Sequence, residues 1–236
     1  FRGDYDGFSG NLSVAYDVTD TLTLRAGVSS VFGGLSIEDN FIFNPAWTYD
    51  ALKSARATNY TMGAVYDNGT LRVDGEIFMT QIDDARVSSF RANENGDLET
   101  KGYNIGLGYG WPGGFLRASY SYSELKVDGA RADSYAALDL AAPLGGVLAI
   151  EVQHNPNGSD FTFGGSIEAA QDYEEIAGFA DRAIPGYAVL NLFTEYRPSA
   201  VHGLVIRAAI DNVFDKEYAD RATYGADFSS LTPLYE

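Results

Sequence analysis

The most reactive side chains in this sequence are its two histidines, His154 and His202. His154 precedes Ser159 and Asp160, and a base beside a hydroxyl is what nucleophilic catalysis requires. No third partner is spaced to orient that base, and Asn155-Pro156-Asn157-Gly158 between them is ordinary turn chemistry, so no catalytic residue is assigned. Adjacent carboxylates at Asp83-Asp84 and Glu174-Glu175 offer oxygen ligands to calcium, but neither pair sits in an organised ligand loop, and both read as solvated charge. No metal site and no cofactor follow. The run Gly106-x-Gly108-x-Gly110 mimics a phosphate loop, yet no helix follows it and its glycines occupy one parity of an extended segment. Cysteine is absent, which excludes a disulfide scaffold, a thiol enzyme and a Cys-ligated metal.

A different chemistry is offered by aromatic and arginine side chains in the long polar segments: Trp47, Tyr49, Phe90, Arg91, Tyr173, Phe179, Arg182 and Tyr224. Rings stack and guanidiniums make charge-assisted hydrogen bonds, so these are the candidate ligand-binding residues. Loop packing is the plainer role for any one of them.

The elements that must position these residues are strands. Period-2 alternation places alternate side chains on opposite faces. Leu12, Val14 and Tyr16 alternate with Asn11, Ser13 and Asp17, and Leu22, Leu24, Ala26 and Val28 alternate with Thr23, Arg25 and Gly27. The same pattern runs through Tyr60 to Tyr66, Leu71 to Thr80, Tyr103 to Tyr109 and Leu116 to Tyr122. Further strands are expected at 146 to 154, 159 to 169, 187 to 196 and 204 to 213. This gives about ten strands of about ten residues, longer than the usual five or six of globular proteins.

Connections alternate between short and long. Short ones fall at 18 to 20, 67 to 69, 112 to 114, 155 to 158 and 198 to 203; long ones at 33 to 57, 82 to 100, 126 to 145, 171 to 186 and 215 to 236. Tight turns on one side and long loops on the other are what an outer-membrane barrel shows. Arg25, Arg72, Asp74, Glu76, Arg117, Glu151, Glu168, Glu195 and Arg207 all take the parity opposite the apolar residues, as a wet interior demands. Leu24, Leu107, Ile150 and Leu192 should then share the lipid face. Tyr16, Tyr66, Tyr109 and Tyr196 precede short turns, and Phe32, Tyr122 and Phe214 stand where strands enter long loops, which reads as two aromatic girdles.

Composition agrees. A formal net charge of −17 in 236 residues argues against a nucleic-acid partner. No apolar run approaches the roughly 18 residues of a membrane helix, the best stretch, 136 to 152, being broken by Asp139, Pro143 and Gly145-Gly146. The chain opens Phe1-Arg2-Gly3-Asp4 and reads as a piece of a longer or processed protein.

Three segments resemble the TonB-dependent outer-membrane receptors. Leu52-Lys53-Ser54-Ala55-Arg56-Ala57-Thr58-Asn59-Tyr60-Thr61-Met62-Gly63 is similar to that family's loop-to-strand passage, with Ser54-Ala55 in place of Pro-Glu and Thr61-Met62 in place of Glu-Leu. Glu99-Thr100-Lys101-Gly102-Tyr103 resembles the passage opening a later strand, and Ile210-Asp211-Asn212-Val213-Phe214-Asp215-Lys216-Glu217-Tyr218 the motif near the family's C-terminus. That last motif is read as a strand end, with Asn212 and Asp215 bonding local backbone.

The resemblance implies an all-β, antiparallel transmembrane barrel of 22 strands, in the outer membrane of a Gram-negative bacterium. Residues 1–236 would form part of its barrel domain, without the plug domain, the first barrel strands or the final strand. It implies a non-enzymatic, energy-coupled importer whose partners are a ferric siderophore or similar metal chelate, the TonB complex acting through the missing plug, and outer-membrane lipid with lipopolysaccharide. Haem, cobalamin or a glycan is the alternative cargo, and a passive porin the alternative class. The stretch Val31-Phe32-Gly33-Gly34 to Asn44-Pro45-Ala46-Trp47 lacks the histidine typical of haem receptors, which favours a siderophore.

Overall fold

The computed structural model describes residues 6–34, 54–88, 93–131, 145–173 and 185–218. Within them lies one antiparallel sheet of 11 strands. They are β1 Gly10–Thr19, β2 Leu22–Gly34, β3 Ala55–Asp67, β4 Leu71–Ser88, β5 Asn93–Trp111, β6 Gly114–Val127, β7 Ala130–Arg131, β8 Gly145–His154, β9 Phe161–Ala170, β10 Tyr187–Tyr196 and β11 Ile206–Ile210. Neighbours in sequence are neighbours in the sheet, except that the short β7 folds back on β6 and leaves β6 to pair with β8. Among the described residues the sheet is not closed, and β1 and β11 are its two edges.

Local chemistry makes the short connections. Between β3 and β4, Asn68 Oδ1 accepts from the amides of Thr70 and Leu71 at 3.0 and 2.8 Å, while Gly69 takes φ +84°. Between β1 and β2, Thr19 Oγ1 accepts from the amides of Thr21 and Leu22 at 3.2 and 3.0 Å. Side-chain oxygens thus take up the amides that a reversing backbone leaves unpaired.

Register decides which residues share a face, because partners directly opposite each other point the same way. One cross-strand row reads Tyr16, Leu24, Ala64, Gly75, Ile105, Tyr120 and Leu148. Leu107 lies opposite Ala118, Ala118 opposite Ile150, and Ile150 opposite Ile167, two positions from the Gly165 that faces Leu192. The four expected lipid-face residues therefore share one face. On the other, Arg72, Gly108, Arg117, Glu151 and Ser166 form a row, and Arg25, Gly63, Glu76 and Asn104 another.

Beyond the apolar belt the strands run on, which corrects the expectation of a long loop over 82 to 100. β4 and β5 keep pairing to Ser88 and Asn93, across a bulge between Ile82 and Ala85 where Asp84 adopts φ 54°. Backbone ladders need no lipid, and this extension has a small core of its own, with Leu125 1%, Leu98 4% and Ala85 6% exposed. At the other end β11 is shorter than the expected 204 to 213. Asn212 turns out at φ 48°, and its side chain accepts from the Lys216 amide at 2.9 Å while donating to the Lys216 carbonyl at 3.0 Å, which ends the ladder.

Aromatic side chains of the polar face lie over cross-strand glycines. Phe78 faces Gly102 and Phe193 faces Gly164 in the register, and each ring occupies the space a side chain on its glycine would need. A Cβ at Gly102 would overlap the Tyr122 carbonyl oxygen and stand 2.8 Å from Phe78 Cζ, whereas one at Gly110 would meet nothing within 4 Å. Gly102→Val is therefore expected to cost about 3 kcal/mol of unfolding free energy, at the upper end for overpacking, and Gly110→Val under about 1 kcal/mol. Urea unfolding of both variants in lipid vesicles checks the difference.

Candidate functional site

Of the candidate ligand-binding residues, Tyr173 alone falls within the described structure; Trp47, Tyr49, Phe90, Arg91, Phe179, Arg182 and Tyr224 lie outside the described residues. Tyr173 follows β9 on the side of the long connections and is 3% exposed. Its ring lies against Gly145, and the Arg131 guanidinium stands 5.1 Å from its centroid. Arg131 in turn forms an ion pair with Glu124 at 2.9 Å, and Lys126 reaches the same carboxylate at 3.3 Å. The Gly186 amide donates to Asp172 Oδ1 at 2.6 Å, joining the chain just before 174–184 to the chain just after it. The structure thus places Tyr173 as a packed residue at the neck of that connection.

Beside this neck a small cluster of Ala170, Tyr187 and Val189 is covered by Val147 and Tyr218. The Tyr187 and Tyr218 rings are 4.7 Å apart, and Tyr187 Oη donates to Glu168 at 2.5 Å. The final tyrosine of the segment from Ile210 to Tyr218 therefore has a definite seat, which sequence reasoning missed. Only tertiary contact with β10 shows it.

The Arg131 hydrogen bond holds the Glu124 carboxyl below the ordinary carboxylate range, against the opposing effect of burial. This group stands beyond the apolar belt. A carboxyl whose folded pKa is depressed contributes stability above its unfolded value, and that contribution is lost as pH falls through the folded value. Amide exchange across 124–131 should therefore be well protected at pH 7 and lose protection below the ordinary value of 4.5. Glu124→Gln should show weaker protection at pH 7 and no such pH dependence; an unchanged profile in that variant would refute the coupling.

Polar groups on the sheet's other face line a groove of about 660 Å³ that includes Arg117, Glu151, Ser166, Asn191, Arg207 and Asp211. Arg117 reaches Glu151 at only 3.7 Å, and its guanidinium lies 4.5 Å over Phe115, as that of Arg207 does over Phe193. Asn191 donates to Ser166 at 3.3 Å.

His154, Ser159 and Asp160, considered for catalysis, each have a hydrogen-bond partner at the tight-turn end. Trp111 Nε1 donates to His154 Nδ1 at 3.0 Å, which requires that nitrogen to be unprotonated. Ser159 Oγ accepts from the Phe161 amide at 3.0 Å, and Asp160 Oδ2 from the Ser199 amide at 3.2 Å. Asp97, not its neighbour pair, accepts the Asp84 amide at 3.2 Å. Among the described residues no group of three or more His, Asp or Glu is arranged to hold a metal ion.

The sequence reading also missed how the apolar face ends. Ile77, Tyr103 and Tyr122 form one row, and the next row toward the long connections reads Met79, Lys101 and Glu124, followed by Gln81, Glu99 and Lys126. Lys101 and Glu99 pair at 3.4 Å. Charge returns on the parity that was apolar, and a membrane boundary is the physical cause: a side chain that must face hydrocarbon below can face water above. At the tight-turn end the Tyr109 and Trp111 rings lie tilted with centroids 5.7 Å apart, and Phe161 stacks on Tyr196 at 4.6 Å.

A meander with one apolar face, bounded by aromatic rows and then by charge, and with a polar opposite face, is the wall of a transmembrane β-barrel. The chain belongs to the TonB-dependent receptors: the family model described as "TonB dependent receptor-like, beta-barrel" matches residues 1–213. Its place is the outer membrane of a Gram-negative bacterium. Haem transporter BhuA of Brucella ovis is 21% identical over 232 residues, which span 92% of this chain and 34% of that protein, and the Brucella suis protein of the same name gives the same values. The copper transporter OprC superposes with a TM-score of 0.77 at 20% identity, over 97% of this chain and 38% of that one. The ferripyoverdine receptor of Pseudomonas aeruginosa, bound to ferripyoverdine, gives 0.72 at 17% identity, over 91% and 30%. The chain thus spans about a third of the length of the relatives it matches.

Proposed function

We propose that the whole protein is an active importer of a ferric siderophore, in which residues 1–236 form barrel wall and extracellular connections. A plug domain elsewhere in the protein engages the TonB complex. The observation that carries this reading is the belt: an apolar face ending in charge on the side of the long connections, within the receptor family. No bond is made or broken in such a task, so the binding residues replace catalytic ones. Trp47, Tyr49, Phe90, Arg91, Phe179, Arg182 and Tyr224 are proposed to meet the chelate, with Tyr173 bracing the connection that carries Phe179 and Arg182.

Support for a siderophore is twofold. Both histidines stand on the tight-turn side, far from the connections that would meet haem iron, and the chain is similar in fold to a receptor solved with ferripyoverdine. The net charge of −17 suits a neutral or cationic hydroxamate chelate better than an anionic catecholate, although salt screens charge beyond about 8 Å. Haem is the second reading, favoured by the Brucella relatives that bear that name.

Uptake of radioactive iron chelates by iron-starved cells, with the intact gene or its deletion, tests the proposal. Deletion should abolish uptake of one ferric siderophore and leave growth on haem intact. Loss of growth on haem, cobalamin or a glycan with siderophore uptake unchanged would replace the cargo. Uptake that persists without the TonB complex would replace the importer with a passive porin.

A further inference from the structure

Asparagine followed by glycine closes readily to a cyclic imide, because no side chain shields the glycine nitrogen from the asparagine amide carbon. The described residues hold three such steps: Asn68-Gly69, Asn95-Gly96 and Asn157-Gly158. Their surroundings differ. Asn68 Oδ1 accepts from the Thr70 and Leu71 amides at 3.0 and 2.8 Å, and the Gly69 amide donates to Asp67 Oδ1 at 2.9 Å, so both reacting groups are tied down. Asn95 and Gly96 lie within the paired length of β5, opposite Arg86 and Ala85. Asn157 and Gly158 are exposed in the turn between β8 and β9, and the Asn157 side chain enters no hydrogen bond among the described residues.

Asn157 adopts φ 46° and ψ 38°, and Gly158 φ 70°, close to the central residues of a type I′ turn. Turning their shared peptide over gives a type II′ turn, in which ψ of the first central residue is about −120°. That rotation carries the Gly158 nitrogen to the same side of the Cα–C bond as the Asn157 Cβ, within reach of Cγ. Space and backbone allow it: glycine accepts φ of either sign, and a Cβ on Gly158 would meet nothing within 4 Å. The ends of the turn are held meanwhile, by the Ser159 amide donating to the Pro156 carbonyl at 2.8 Å and by Asn155 Nδ2 donating to the Ser159 and Phe161 carbonyls at 2.6 and 2.7 Å. Asn155 itself cannot close, since the nitrogen of Pro156 carries no proton.

We propose that Asn157 is a site of self-modification, converted with water to aspartate and isoaspartate while the hairpin stays intact. The Gly158 nitrogen gives its proton to solvent and bonds to Asn157 Cγ; the Cγ–Nδ2 bond breaks, and the amide nitrogen takes up a proton and leaves as ammonia. Water then opens the ring at Cγ, which gives aspartate, or at the main-chain carbonyl carbon, which gives isoaspartate. The balance is one water consumed and one ammonia released, with no oxidation or reduction. The turn gains a negative charge, and the Asn155 bonds keep its base closed.

The test uses the full-length protein folded in lipid vesicles, aged at mildly alkaline pH and sampled over time. Peptide mapping by mass spectrometry, with isoaspartyl and aspartyl forms separated by chromatography, gives a rate at each asparagine. Asn157 should react about a hundredfold faster than Asn68, the factor for breaking three hydrogen bonds of ordinary net strength at the slower site. Asn95 should also lag behind Asn157. In urea, where each step has only its own glycine beside it, the three rates should converge. Asn157→Gln, whose ring would need one more member, should abolish modification of the peptide that also carries Asn155. Heat-modifiable migration should be the same for aged and fresh protein. Equal rates at Asn68 and Asn157 in the folded protein, a lead by Asn68 or Asn95, a spread of rates that survives in urea, modification that persists in Asn157→Gln, or loss of heat-modifiable migration on ageing would each overturn the proposal.

Discussion

Ile105→Arg is expected to lower the stability of the membrane-inserted protein by about 2–4 kcal/mol, the cost of a cation on the lipid face at mid-membrane. Ile105 is half exposed on the apolar face, between Gly75 and Tyr120 in its cross-strand row and between girdle residues Tyr103 and Tyr109 along β5. Gly106→Arg, its immediate neighbour, points to the polar face. A Cβ there would come within 2.7 Å of Asp74 Oδ2, the mobile end of a side chain that can swing from its 3.4 Å pairing with Arg72 and face the new guanidinium. That variant should lose under about 1 kcal/mol, because its side chain enters a wet interior and meets only the flexible Asp74 carboxylate. Equal loss in the two, measured by urea unfolding in vesicles, would show that the face assignment is wrong.

The larger effect concerns the sheet edges. β1 and β11 each have a neighbour on one side only among the described residues, and every residue of β1 but the first is exposed. Half of the backbone groups of an edge strand point away from its partner, and each unpaired group costs several kcal/mol in hydrocarbon. Over a 10-residue strand the sum exceeds the roughly 5–15 kcal/mol that holds an ordinary domain together. Residues 1–236 expressed by themselves should therefore fail to insert as a monomer. The full-length protein should give a compact, heat-modifiable band on a gel, and the isolated chain none, with its strands open to protease. A compact monomeric band from the isolated chain would contradict the requirement for partner strands at both edges.

Alternation carried most of the architecture into the sequence. A residue such as Leu107 between Gly106 and Gly108 has its face set by the two-residue repeat of a strand, whatever its partner, so the lipid and polar faces could be assigned before any register was known. Turn chemistry was equally local: Asn68 and Gly69 make their reversal from their own side chain and φ. The motif around Asn212 announced a strand end for the same reason, since its side chain bonds only four residues away.

What only tertiary structure decided depends on residues far apart in the chain. Where β4 and β5 stop was invisible, because paired backbones leave no apolar pattern once they leave the bilayer, and the core of Leu98 and Leu125 that supports them joins two strands. Only register sets Lys101 and Glu124 side by side on the parity of the lipid face, which makes them its upper border. Tyr173 read as a ligand residue from its type and its long connection; that it is buried, with Arg131 and Gly145 against its ring, shows only in the folded arrangement. Tyr218 gained its seat on Tyr187 in the same way. The repeat of a strand is a property of neighbouring residues and was therefore written in the sequence. Burial, pairing and the height of the membrane are sums over strands brought together by the sheet, and only the folded arrangement supplies them.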